Sequence, residues 1–491
     1  MPLVPAPPGA AAGFDDPVAA RFAAPHPANR FVVGLFDRGE LAQIRSVAEL
    51  DAHFGGRTNY SGAHDAIATQ LREGTTVVTV SRATGPAAVA ATVTLMDGET
   101  VPADSISVTA KSSGEWANGA TGGLKVAVSG SPSAVVLTIT EDGVPVAVSP
   151  AATTLQELVE WSQGDDVPVL VAIEGVEMPA DVAATSLAGG DDDRANITDA
   201  EWTTALDRLE GRYGPGLVRA PGVDDQAVHL AIIGHLARHP NRIAFLDMAA
   251  DVDEAAAIAR RLALEAANPE VAPQWALWAQ WGRTRPAGAT PPRLVSYADA
   301  QAGISARVLR ELGPGKAPFG RTRGVTRSIA TLDREWSTSQ NPPGEVQRLY
   351  AAHVNTAVDR GQTIATEGYR TGSTDPRYED LHVATTRMWV VWQGEEIALT
   401  YVGEPVNADT IASFAGGLAG MLEGLAGAQA ITPGVLLPEP LDDPGYVITT
   451  DMNTPATMLA RELWAHVLFR PAGSVHWAGV TVGSANVDER I

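Results

Sequence analysis

His229, His235 and His239 fall within one predicted helix, and His235 and His239 are four residues apart. That spacing places two imidazoles on one helical face, where they could ligate a metal. No HExxH glutamate accompanies them. His239 falls in the last turn, where the helix dipole itself favours a cation. The preferred reading is a surface or helix-terminal histidine. Asp247 ends a predicted buried strand, with Asp251, Asp253 and Glu254 just beyond it. Ligands of doubly wound folds bind at strand carboxyl ends, so these acids could hold Mg²⁺ or move protons. The same residues can cap the loop and the next helix, and that reading is preferred.

The other candidate motifs are weaker. In GGDDDR (189–194) alternate calcium ligands would be Asp191, Asp193 and Ala195, and alanine cannot ligate. Asn196-Ile197-Thr198 is a glycosylation sequon without a secretory context. In VVGLFDRGEL (32–41) Gly34 and Gly39 flank Asp37 beside Glu40, with no lysine. Two carboxylates repel a phosphate, so this stretch is a structural corner and no phosphate loop. The helix behind it starts at Ser46, where Ser46 and Glu49 form an S-x-x-E capping box and Gly55 supplies the stop. Small residues in GGLAGMLEGLAG (416–427) let another element approach closely. A G-x-S-x-G elbow is absent.

Composition narrows the classes. The chain has 491 residues, 45% of them apolar, enough for a sizeable core. The absence of cysteine excludes disulfides, thiolate catalysis and cysteine-ligated metals. A net charge of −23 argues against nucleic-acid and anionic-membrane partners. No apolar run reaches the roughly 18 residues of a membrane span. Four prolines stand in the first eight residues without a basic region, which reads as an extended arm rather than a signal peptide and points to a cytoplasmic protein.

The elements around these residues suggest an order. Residues 1–30 form the arm and 31–82 a β-β-α-α-β unit at the start of the core. Residues 83–165 carry short alternating runs between Gly, Asp, Ser and Pro turns, a β-rich insertion. From 166 to 360 strands alternate with helices, implying a parallel, doubly wound sheet. Its first strand is VPVLVAIEG, and Thr198 and Glu201 box the helix that follows. Residues 331–360 look polar and irregular. Residues 361–474 form an α+β unit in which LHVATTRMWVVWQGEEIALTYVGEP reads as strand-rich. Residues 475–491 form a terminal arm. Its run SVHWAGVTVG, with Val475, Trp477, Gly479, Val480 and Val482, is an apolar strand suited to pairing with a neighbour's sheet edge.

The assembled order resembles the sheath protein of contractile phage tails and related contractile injection machines. FVVGLFDRGELAQIRSVAELDAHFGG followed by REGTTVVTVSRA is similar to the family's N-terminal signature. Gly114, Trp116 and Asn118 match its Gly-x-Trp-x-Asn loop, and RIAFLDM ending in Asp247 looks like its central βα unit. Arg370, Thr371, Arg377, Tyr378 and Arg387 match its C-terminal Arg-Thr and Arg-Tyr…Arg pattern. The segment from Pro291, Pro292 and Arg293 departs from the family's Pro-Pro-Ser turn.

The resemblance implies an α/β and α+β multidomain chain: a subtilisin-like core without a protease triad, a β-rich insertion, an α+β C-terminal domain and extended arms. It implies a structural subunit and no enzyme, cofactor or metal. The subunit would polymerise into stacked hexameric rings around a tail tube protein, with baseplate and tail terminator proteins as further partners. It would contract to drive the tube through a cell envelope. It would touch no nucleic acid, insert in no membrane, and sit in the tail of a virion assembled in the bacterial cytoplasm. The competing readings are a soluble α/β enzyme with a metal site near Asp247 and another tail or baseplate protein. The β-rich insertion is expected on the outside of the sheath.

Overall fold

The computed structural model describes residues 26–130, 134–285, 291–426, 435–436 and 444–473. The chain enters at β1 (Arg30–Gly34), turns through the corner into β2 (Leu41–Ile44), and continues through α1 (Val47–Phe54), α2 (Ala63–Glu73) and β3 (Val78–Arg82). β1 and β3 are buried along their whole length, which is how strands covered on both faces read.

The β-rich unit follows. β4 (Thr92–Met96), β5 (Asp104–Ala110), β6 (Leu124–Ser129), β7 (Val136–Glu141) and β8 (Val144–Val148) precede α3 (Leu155–Ser162), β9 (Val169–Ile173) and β10 (Val182–Ser186). They form a three-stranded sheet, β4-β5-β9, and a four-stranded sheet, β10-β6-β7-β8, around one shared core. The unit therefore runs beyond residue 165. VPVLVAIEG, expected to begin the parallel core, is β9 and pairs antiparallel with β5. Its apolar run VLVAI suits a doubly covered strand, yet only Val169 and Val171 are buried, with Leu170, Ala172 and Ile173 exposed. A strand wet on one face suits an antiparallel sheet, whereas the central parallel strands are buried on both faces.

The chain then alternates: α4 (Asp199–Asp207), β11 (Gly216–Arg219), α5 (Gln226–Arg238), β12 (Arg242–Asp247), α6 (Glu254–Ala267), β13 (Trp275–Trp278). A small antiparallel sheet, β14 (Trp281–Thr284), β15 (Leu294–Ser296) and β16 (Ile329–Leu332), surrounds α7 (Tyr297–Leu312) and the short α8 (Gly320–Arg323) in sequence. α9 (Glu345–Ala351), β17 (Val354–Asp359) and β18 (Ile364–Glu367) follow. The segment expected to be irregular thus contains a buried strand of the main sheet.

Eight strands join in the order β18-β17-β13-β12-β11-β1-β3-β2, with the six inner strands parallel and β18 and β2 antiparallel at the edges. Helices cover both faces. α4, α5, α6 and α9 pack with Val33, Val218, Leu246 and Leu277 on one, and α7 and α10 with Leu217, Phe245 and Trp278 on the other. The right-handed crossover rule leaves few alternatives for such a chain order.

α10 (Leu381–Leu399) and α11 (Ala408–Glu423) lead to β19 (Tyr446–Thr449), α12 (Pro455–Leu459) and β20 (His466–Phe469). α10 corrects the strand-rich expectation for 381–405. Its valines, threonines and tryptophans favour strand by propensity. Its first half is buried nearly all round, from Leu381 to Thr386, so it shows no amphipathic helical signal.

Candidate assembly surface

Asp247, Asp253, Glu254 and His235 are each engaged by partners within the fold. Asp247 is fully buried. Its Oδ2 accepts from Arg219 Nη2 at 2.8 Å and the Gly222 amide at 2.9 Å, and its Oδ1 from the Ser296 hydroxyl at 2.6 Å. Arg219 Nε donates to Asp299 at 2.8 Å. Burial pushes the Asp299 carboxyl up to about 7, against the pull of Arg219 and with the push of Asp247. Asp253 caps α6, accepting from the Ala256 amide at 2.7 Å, and Glu254 pairs with Arg348 at 2.6 Å. His235 faces Arg242 Nη1 at 2.8 Å and lies 4.5 Å from the His239 ring. Burial and Arg242 hold His235 down at about 2 and His239 at about 4. A guanidinium stands where a metal would need to be. Among the described residues no cluster of three metal-capable side chains exists.

The glycine corner is the joint of the β-rich unit. Gly34 lets α2 approach so closely that a Cβ would meet the Ala63 Cβ at 2.7 Å. Gly39 has φ +76 and donates its amide to the Ser112 hydroxyl at 3.0 Å. Arg38 bonds Glu141 at 2.7 Å and lies over the Trp116 ring. Buried Arg82, at the end of β3, donates to Phe36 O, Ser113 O and the Asp192 carboxylate. Behind the corner the Ser46 hydroxyl accepts the Glu49 amide at 3.1 Å, and Gly55 ends α1 at φ +83. The Glu49 carboxylate reaches back to the amide of Arg45, one residue before the cap. The Gly114-Trp116-Asn118 loop and the acidic run 191–193 meet here. Asn118 joins Gly190, and Arg194 pairs with Asp192.

The 370–387 pattern closes the far side of the sheet. Arg370 pairs with Glu379 at 2.6 Å and Asp380 at 3.0 Å, and its guanidinium stacks over Tyr350. The Thr371 hydroxyl donates to Tyr378 O at 2.7 Å. Arg377 pairs with Asp375 at 2.7 Å on the surface.

A candidate surface for self-association is the β19–β20 hairpin. Its register is regular, Tyr446 opposite Phe469, Val447 opposite Leu468, Ile448 opposite Val467. Tyr446, Ile448, Val467 and Phe469 pack against a core formed with Val390 and Leu422. Val447 and Leu468 stand on the other face, 53% and 56% exposed. Among the described residues each strand's ladder pairs only with the other, and just beyond β20 Pro471 bridges Leu436. The contrast is β8, another edge strand, which carries Pro145 and a register shift opposite Ile139/Thr140. Proline and bulges are the usual guards of an edge, and the hairpin has neither. Asn453 closes the intervening loop, its Nδ2 donating to Trp464 O at 2.6 Å and its Oδ1 accepting the Trp464 amide at 2.8 Å. The aromatic and β-branched run YVIT was the available signal for β19. The strand residues Val475, Trp477, Gly479, Val480 and Val482 and the N-terminal arm up to residue 25 lie outside the described residues.

No protein-family model matches the chain, and no curated protein matches it. Solved structures do. A sheath tail protein from Listeria innocua superposes with a TM-score of 0.61 at 14% identity, covering 88% of this chain and 90% of that one. A sheath tail protein from Desulfitobacterium hafniense gives 0.55 at 13%, covering 88% and 93%. The helical sheath of the anti-feeding prophage in its contracted state gives 0.53 at 12%, covering 98% and 99%. The chain is similar in fold to contractile sheath proteins over nearly its whole length.

Proposed function

We propose that this chain is a structural sheath subunit of a contractile tail or injection machine. It polymerises as stacked hexameric rings around an inner tube and contracts to drive that tube through a target envelope. The observation that carries the reading is the unguarded β19–β20 hairpin on a chain whose fold is shared, nearly end to end, with sheath proteins. A sheet edge can take a strand from a neighbour, and main-chain pairing survives rotation of whole subunits. The strand 475–482 and the N-terminal arm are the donors in this reading. The main sheet is the subtilisin-like core without a triad, and the β-rich unit projects outward. Tube, baseplate and terminator proteins are the partners beyond further copies of the chain, and the assembled sheath belongs to the tail of a phage-like particle built in a bacterial cytoplasm. The enzyme alternative loses its support because every oxygen of Asp247 is already engaged.

Electron microscopy of concentrated full-length protein tests this. Long striated tubes with a wide lumen are expected, and removal of residues 475–491 should leave folded monomers. Monomers or dimers of the full chain at every salt and protein concentration would overturn the reading.

A further inference from the structure

The main sheet changes winding direction between β1 and β11. From β1 the chain builds β3 and β2 to one side, and from β11 it builds β12, β13 and β17 to the other. The connections leave these two parallel strands in opposite directions, so a crevice opens beyond their carboxyl ends, where open α/β sheets hold ligands. A cavity of ≈ 390 Å³ lies there, between Gly34 at the end of β1 and Val223 beyond β11. That volume falls in the range of small-molecule sites. Trp202, only 7% exposed, and the more open Trp281 line it, and Asp299 in the first turn of α7 lies at its inner wall.

The inner wall and the mouth differ chemically. At the wall, Asp299 and Asp247 are tied to Arg219, a buried cluster with two acids and one base. An anion gains nothing there. At the mouth, Arg293 Nη1 donates to Thr58 O at 2.6 Å and lies 3.2 Å from Asp65, which Arg57 also engages at 2.7 Å. Two guanidiniums on one carboxylate leave one positive charge over. We propose that this cavity is a binding site for a small planar aromatic anion, its ring against Trp202 and Trp281 and its acid group on Arg293. Indole faces suit a flat ring, and a guanidinium suits a carboxylate or sulfonate through paired donors. The cavity plays no part in hairpin pairing, so this inference stands apart from the assembly reading.

The test is a fluorescence titration of the full-length protein with 8-anilinonaphthalene-1-sulfonate, an aromatic sulfonate. Saturable binding at one site per chain is expected. Gly62 borders the mouth; its φ is −91 and a Cβ there meets nothing within 4 Å, so Gly62→Trp can plug the opening without backbone strain. Affinity should fall tenfold or more in Gly62→Trp with the circular dichroism spectrum unchanged. Unchanged affinity in the folded plug variant, or no saturable site in the parent, overturns the proposal. If the plug variant fails to fold, Arg293→Gln and Arg293→Lys decide. Binding weakened several-fold in the first and retained in the second supports it, and equal affinities overturn it. The uncharged analogue N-phenyl-1-naphthylamine should bind at least fivefold more weakly, and equal binding removes the anion from the claim.

Discussion

Asn118 and Gly190 hold each other by two hydrogen bonds: Asn118 Nδ2 donates to the Gly190 carbonyl at 2.9 Å, and the Gly190 amide donates to Asn118 Oδ1 at 2.9 Å. The side-chain amide acts as a strand one residue long. It fastens the tryptophan loop to the segment that returns from the β-rich unit to α4. Asn118→Ala leaves the buried Gly190 amide and carbonyl without these partners, which should cost about 2–3 kcal/mol. Urea unfolding measures it, and a loss under about 0.5 kcal/mol would contradict this role. Hydrogen exchange should speed first in β6 and β10, the strands next to the joint.

The Arg219 cluster sets a pH dependence of definite sign. The folded-state pKa of Asp299 lies near 7, above its ordinary value, chiefly because the carboxyl is buried. The folded protein therefore binds more protons than the unfolded chain between about pH 4 and 7. The stability this group contributes is fully present below its unfolded pKa and is lost as pH rises through about 7. His235 runs the other way. Its pKa is depressed to about 2 by burial and Arg242, so its contribution is lost as pH falls below its ordinary value. Thermal melts from pH 4 to 8 should separate them. Asp299→Asn should remove the decline toward pH 8, and His235→Gln should flatten the decline toward acid. An Asp299→Asn profile parallel to the parent across the whole range would sink the assignment.

Patterning carried much of this fold because its period matched its environment. β1 and β12 carry the apolar runs FVV and IAFL and are buried on both faces, and α4 and α5 begin at side-chain caps on Thr198 and Asp225 that sequence spacing can reveal. The failures have physical causes. α10 is buried nearly all round in its first half, so periodicity vanished there and β-branched composition misled. β9 is a continuous apolar run, VLVAI, that alternates only in burial, so its composition matched a parallel core strand and nothing local told the two apart.

The pins between distant elements were illegible. Glu73 accepts from the Thr326 hydroxyl and from the amides of Arg327 and Ser328 across some 250 residues of chain, and nothing local to Glu73 announces it. The corner at Gly34 and Gly39 was readable as a corner, but its service as the seat of the β-rich unit was not. Asp192, Ser112 and Glu141 reach it only after folding. The candidate assembly surface was half legible. β19 and β20 are short apolar runs, YVIT and HVLF, whose composition suits strands, whereas nothing local says that the two pair.

Gly416 and Gly420 lie in the interior of α11, and a Cβ on either meets nothing within 4 Å. Glycine in an exposed helix interior costs about 1 kcal/mol relative to alanine, through backbone entropy. Gly416→Ala with Gly420→Ala should therefore stabilise the isolated subunit by about 1–2 kcal/mol in denaturant titrations. A destabilised double variant would mean that the helix needs glycine geometry for a reason internal to the subunit.

Val447 and Leu468 face each other across the hairpin and both are more than half exposed. Substituting an exposed strand residue changes subunit stability by no more than about 0.5 kcal/mol, because little buried contact is lost. Lysine on an edge strand is, however, a strong guard against pairing with another chain. Val447→Lys should therefore leave the melting profile of the monomer nearly unchanged while suppressing polymer. Light scattering follows the polymer and calorimetry the monomer. The parent carries a net charge of −23 per chain, so its polymer yield should rise with salt as repulsion between subunits is screened. The lysine variant should stay unassembled across the same salt series, because its barrier lies at the edge and not in the long-range field. Assembly of Val447→Lys at the parent's yield would place the contacts elsewhere than this hairpin.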